Sequence, residues 1–367
     1  MHSDRRQRLA AIFVVLVLAT VAARGQQSLV SAPPALVFPP LEAYLDALRQ
    51  QAGIPGMSAA VVHDGEVVWE RGFGFQNVAA RVRATPDTPY LVGDVSGTLA
   101  AVLLLQCVEQ RHMYLDEPIR TYGITLAEPG VTLRQVLSHT SLQAGGDGAG
   151  ETFKYSPERY AELTSAIEWC VPQPYRKTVS HRILNRLAMK DSVPGTDLQD
   201  PEVVPEGLYD PAELDRYRHV LERMALPYKV DSRLRAERTE LPPAGIAAAT
   251  GLVSTVRDLA RFDAAVDSAL LLNEETLAVA WTPHALAGRP PLPMGLGWFV
   301  QPYRGERVVW HFGLVPNAYS SLIVKLPSRH LTFILLANSD GLSVPFPLAA
   351  GDVTRSLFAT LFLKLAI

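Results

Sequence analysis

Tyr90-Leu91-Val92-Gly93-Asp94-Val95-Ser96-Gly97-Thr98, followed at once by Leu99-Ala100-Ala101-Val102-Leu103-Leu104-Leu105, is the stretch on which the fold turns. A turn at Gly93 runs into a strongly apolar segment, which predicts a helix from near Val95 to about Arg111. Asp94 then falls at the N-cap, where a short acceptor side chain is favoured.

Working outward, helix and strand signals alternate. Leu41, Tyr44, Leu45 and Leu48 recur at helical spacing, and Gly53-Ile54-Pro55-Gly56 ends that helix. Segments 57–63 and 66–73 read as strands joined by Asp64-Gly65, a two-residue hairpin signal. Residues 143–150 form a Gly-rich loop, and 158–170 and 175–189 read as helices. Prolines and charges between 192 and 243 suggest a helical or irregular insertion. Ser254 or Thr255 is placed to cap the helix that follows. Strand signals return at 295–298, 307–312, 319–326 and 331–337, and Val353, Leu357, Leu361 and Leu365 mark a closing amphipathic helix. The expectation is an α+β fold. Two N-terminal and three C-terminal strands form one antiparallel sheet, flanked by the terminal helices, with a mainly helical subdomain inserted.

Several segments carry a resemblance. Residues 93–98 are similar to Gly-Ser-x-Ser-Lys-Thr, and Tyr114-Leu115-Asp116-Glu117-Pro118-Ile119 to Leu-x-Leu-Asp-Asp-Pro-Val. Val131-Thr132-Leu133-Arg134-Gln135-Val136-Leu137-Ser138-His139-Thr140-Ser141 and the run from Thr250-Gly251-Leu252 to Phe262 match two further signatures, and His311-Phe312-Gly313 fits a His-x-Gly motif. Together they resemble the serine β-lactamase and penicillin-binding-protein superfamily, in its class C-like branch of β-lactamases, D-Ala-D-Ala peptidases and esterases. The resemblance runs from about Leu41 to the C-terminal helix. It implies a β-lactamase/transpeptidase-like domain over 41–367, with its sheet part at 41–92 and 290–367 and its mainly helical part at 93–289.

The chemistry the resemblance implies is acyl transfer: a Ser attacks, a Lys one helical turn later moves its proton, a Tyr assists, and backbone N–H groups receive the oxyanion. Here Asp94 stands at the nucleophile position and Gly97 at the lysine position. A carboxylate at 94 repels an oxyanion and fits the cap role better. Gly97 removes the base, costs helix stability of about 1 kcal/mol relative to Ala, and suits the close approach of another segment. Ser96 is the alternative nucleophile, with no Lys one turn later. Tyr155 matches the proton-transfer Tyr, while Pro157 replaces an Asn. His311 and Gly313 stand intact, Gly313 leaving the backbone open to a ligand. His139 has a structural place in this branch. The reading is a catalytically inactive homologue with a ligand- or partner-binding role, its cleft between Asp94, Tyr155 and His311 open to a small-molecule or peptidoglycan-type ligand. The alternative is a serine hydrolase of esterase, D-Ala peptidase or β-lactamase type.

Composition narrows the classes further. The chain has 367 residues, 48% hydrophobic and 19% charged, with a net charge of −3, and no basic stripe suggests nucleic acid. Its nine His and two Cys show no metal-ligand spacing, so neither metal nor cofactor is expected. Cys107 and Cys170 could pair in an oxidising compartment, but sequence alone does not join two residues, and buried free thiols are the favoured reading. Arg5, Arg6 and Arg8 precede the apolar run 9–23, and Ala22, Ala23 and Gly25 offer cleavage sites. This reads as a signal peptide over 1–25, then a Pro-rich linker over 26–40. The protein is expected in the periplasm or outside the cell, with no stable membrane span after cleavage. It stays membrane-anchored if the leader is kept.

Overall fold

The computed structural model describes residues 38–367, apart from 125, 127, 129, 142–151, 201–202 and 286–289. The leader and the Gly-rich loop at 143–150 lie outside the described residues. The expected linker gives way to helix three residues early, at Phe38 rather than Leu41. Helix Phe38–Gln51 begins with Phe38-Pro39-Pro40, and proline is tolerated in a first helical turn, where the missing N–H has no intrahelical partner.

The N-terminal strands are β1 (Gly56–His63), β2 (Glu66–Asn77) and β3 (Val82–Arg83). Asp64 and Gly65 between β1 and β2 both have positive φ, the conformation that makes an Asp-Gly pair a tight hairpin. Short strands β4 (Tyr90–Leu91), β5 (Val193–Pro194) and β8 (Leu252–Ser254) form a small sheet in the order β4-β8-β5. In the insertion, β6 (Tyr228–Val230) pairs with β7 (Ala236–Arg238), beside helix Pro211–Glu222. The C-terminal strands are β9 (Phe299–Tyr303), β10 (Glu306–Val315), β11 (Tyr319–Leu326) and β12 (Leu331–Ala337).

The main sheet is antiparallel in the order β3-β2-β1-β12-β11-β10-β9. It therefore has three N-terminal strands and four C-terminal ones, one more at each end than expected. The first C-terminal strand is also displaced, lying at 299–303 rather than 295–298. Both edges are blunt: β3 has two residues, and β9 carries Pro302 opposite Arg307.

Two cores lie on the two faces of this sheet. Strands alternate their side chains, so Ala59, Val61, Trp310 and Phe312 join the terminal helices Phe38–Gln51 and Leu357–Ala366, whereas Ala60, Val62 and Val309 meet the helical part. Helix Ser96–Glu109 is buried from Ser96 to Cys107, as an all-round apolar helix must be. Thr255 caps helix Val256–Asp267 by accepting from Asp258 N. Cys107 and Cys170 form a disulfide rather than two thiols, with Cα atoms 6.4 Å apart. Helix Leu163–Cys170 packs against Ser96–Glu109, a neighbourhood that residue spacing alone does not reveal. No helix among the described residues is long and apolar enough to cross a membrane.

Candidate functional site

The buried helix starts one residue later than the local sequence suggests, because Gly93–Val95 forms a short 3-10 turn ahead of it. Asp94 lies in that turn and does not cap the helix. The N-cap is Val95, with no side-chain cap bond. The Asp94 carboxylate instead turns toward the sheet, where Oδ2 accepts the backbone N–H of Leu314 at 3.3 Å. Burial pushes this carboxyl up to about 7, with the Leu314 N–H opposing and the Glu158 charge adding to the rise.

β10 and the turn at 93–95 approach at backbone contact. A Cβ on Gly313 would lie 2.0 Å from Val92 O, and one on Gly93 would lie 2.7 Å from Leu314 N. Ser321 Oγ donates to Val92 O at 2.7 Å and fastens the same place. Gly313 is thus needed for the chain's own packing. The space expected for a ligand at its backbone is filled by residues 92–94.

Ser96 points away from this junction. Its hydroxyl donates to Gly93 O at 2.7 Å, accepts Leu252 N at 3.2 Å, and is 1% exposed. It lines no part of the cavity beside Asp94. Its two bonds tie the helix start to β8, and no base touches it.

At the lysine position, Tyr160 occupies the room a longer side chain needs. A Cβ on Gly97 would stand 3.3 Å from Tyr160 Cε1, and Tyr160 OH donates to Gly97 O at 3.2 Å. The His139 ring stacks on Tyr160 with centroids 5.1 Å apart and lies 4.6 Å from the Tyr155 ring. His139 Nδ1 accepts Ser156 N at 3.0 Å, which puts the proton of the neutral ring on Nε2 and fixes the segment carrying Tyr155. Burial, with some help from His311, lowers His139 to about 3. His311 donates Nδ1–H to Phe312 O at 2.7 Å and is lowered by burial to about 4. Both imidazoles are neutral at pH 7. Burial and the nearby Asp94 charge hold the Tyr155 phenol well above its usual range.

Asp94, Gly97, Tyr155 and His311 do converge, together with His139, Pro157, Tyr160 and Ala249, on one cavity. Its volume is about 10 Å³, enough for about one water. Ser96 is not brought there, and Gly313 backs onto the turn. Tyr160 and Leu314 are the residues that the sequence did not disclose. Tyr160 carries no motif, and its one available signal was a bulky aromatic set against a glycine.

A fold with an antiparallel sheet, a buried motif helix and a His-x-Gly strand facing it defines the class. Residues 41–354 match the family model described as Beta-lactamase, and the chain belongs to that family. Similar proteins include the D-aminopeptidase of Brucella ovis, 36% identical over 89 residues, which are 24% of this chain and 17% of that protein. The human "Serine beta-lactamase-like protein LACTB, mitochondrial" is 31% identical over 104 residues, 26% of this chain and 19% of that one. The alignments thus span under a fifth of these relatives' lengths. Among solved structures, the octameric penicillin-binding protein homologue from Pyrococcus abyssi matches with a TM-score of 0.71 and 24% identity, over 89% of this chain and 77% of that one. D-amino acid amidase from Ochrobactrum anthropi, solved with L-phenylalanine amide, matches with a TM-score of 0.66 and 19% identity, over 90% and 98%. These likenesses establish the fold.

Proposed function

We propose that this protein is a catalytically inactive member of its family that acts by binding, and that it is exported. One observation carries the reading: the Asp94 carboxylate accepts the Leu314 N–H. Acyl transfer needs such backbone donors free for a developing oxyanion, and here a carboxylate stands in front of one. Gly97 supplies no base, and the Tyr160 ring lies where a base would begin. The serine-hydrolase alternative finds no support at Ser96, whose hydroxyl is committed to Gly93 and Leu252. Export is supported by the basic-apolar leader and by the Cys107–Cys170 disulfide, since such bonds persist in oxidising compartments. The partner class is a small-molecule or peptidoglycan-type ligand. A cavity of about 10 Å³ beside Asp94 leaves no room for one there.

The test is the intact mass of the purified mature protein after incubation with a fluorophosphonate and, separately, with benzylpenicillin. The expected result is no adduct on protein that melts cooperatively. A stoichiometric adduct mapped to one hydroxyl would overturn the reading.

A further inference from the structure

The motif cavity is nearly filled, yet a much larger space opens next to it. Ala249 lines the cavity, while the next two residues, Thr250 and Gly251, line a groove of about 610 Å³. The two spaces share no lining residue. The groove's wall is built by Leu91 of β4, Leu221 at the end of helix Pro211–Glu222, Met224, Leu226, Leu241 and Val315 of β10. Pro242 and Pro243 continue that wall. Its volume falls within the roughly 300–1,000 Å³ typical of small-molecule sites, and its make-up is the usual one for them.

The polar groups of the groove decide the chemistry of its occupant. Thr196 Oγ1 is bonded to the backbone of Ala244, Thr239 Oγ1 donates to Asn317 O, and Tyr319 OH donates to Ala225 O. The hydroxyl protons of Thr239 and Tyr319 are thereby spent within the protein. The charged side chains of the lining, Glu222, Arg238 and Glu240, are all exposed. All three are open to solvent, so none is a buried counter-charge for a ligand, and burying an unpaired charge is unfavourable.

We infer that this groove is the protein's ligand site and that it takes an uncharged, predominantly apolar small molecule. The assignment rests on the binding role proposed above and names its place and its ligand class. It sets apart ligands whose binding depends on a buried carboxylate, benzylpenicillin and D-Ala peptides among them.

The experiment is a fluorescence titration of the mature protein with N-phenyl-1-naphthylamine, an uncharged dye that brightens in apolar sites. Saturable one-to-one binding is expected, and excess benzylpenicillin leaves it unchanged. Thr250→Trp and Ala244→Trp, at exposed positions lining the groove, each weaken it at least tenfold without moving the melting temperature. Absence of saturable binding, indifference to both folded variants, or displacement by benzylpenicillin would overturn the inference. If one variant melts early, the other decides, and the competition on unaltered protein decides in any case. A fluorophosphonate adduct with dye binding intact refutes inactivity alone. Lost dye binding without an adduct refutes the groove alone.

Discussion

The side chain of Asp94 and the backbone N–H of Leu314, 220 residues apart in sequence, meet at 3.3 Å. They join the turn before the buried helix to strand β10, and burial keeps the carboxyl titrating at about 7. Between about pH 4 and 6.5, the folded chain holds a proton on Asp94 that the unfolded chain lacks. In the same window, unfolded His139 and His311 each take up a proton that the folded chain refuses, because burial lowers them to about 3 and about 4. These three groups therefore make the unfolded state richer by one net proton. Stability falls with acidification by about 1.4 kcal/mol per pH unit from them. Asp94→Asn removes the opposing term. We expect its acid slope to exceed that of the native protein by about one proton equivalent, measured by urea unfolding from pH 4.5 to 6.5. Parallel slopes refute the burial of this carboxyl.

Ser96 tests structural against chemical use of a hydroxyl. Ser96→Ala leaves the buried Leu252 N–H without its acceptor, at a cost of about 1–3 kcal/mol. Denaturant unfolding should show that loss. Reactivity toward fluorophosphonate should be the same, and absent, in both proteins.

Restoring the motif residues alone should fail. Asp94→Ser with Gly97→Lys places a new side chain against the Tyr160 ring, which is held by its bond to Gly97 O and its stack on His139. We expect no phosphonylation by fluorophosphonate from that pair of changes. Addition of Tyr160→Ala should produce a slow, stoichiometric adduct at position 94. An adduct in the double variant would show that Tyr160 is no obstacle.

The disulfide closes a separation of 63 residues. The chain-entropy relation gives about 4 kcal/mol for a loop of this length, with native disulfides typically contributing about 2–4. Cys107→Ala with Cys170→Ala should lower the melting temperature by several degrees and abolish its sensitivity to reductant. An unchanged melt would mean that helix packing alone holds the pair together.

Much of the fold was legible because its signals are local. Asp64-Gly65 marks a hairpin wherever it lies between strand patterns, and Thr255 caps its helix through a residue three positions on. The placing of Asp94, Gly97, Tyr155 and His311 around one cavity was legible through the order of the motifs. What escaped depends on contacts between distant segments. The hydrogen bond of Asp94 runs to residue 314, the ring over Gly97 comes from residue 160, and Cys107 finds its partner through helix packing. The short strands β5 to β7 also escaped, being too brief for a period to develop.

The two blunt margins of the main sheet bear on how such a protein can associate. β3 is too short to template a neighbour, and Pro302 interrupts the donors along β9. Growth of the sheet from one molecule into the next is disfavoured along β3 and at Pro302. A strand added from a second molecule would meet a two-residue edge at β3 and a missing N–H at Pro302.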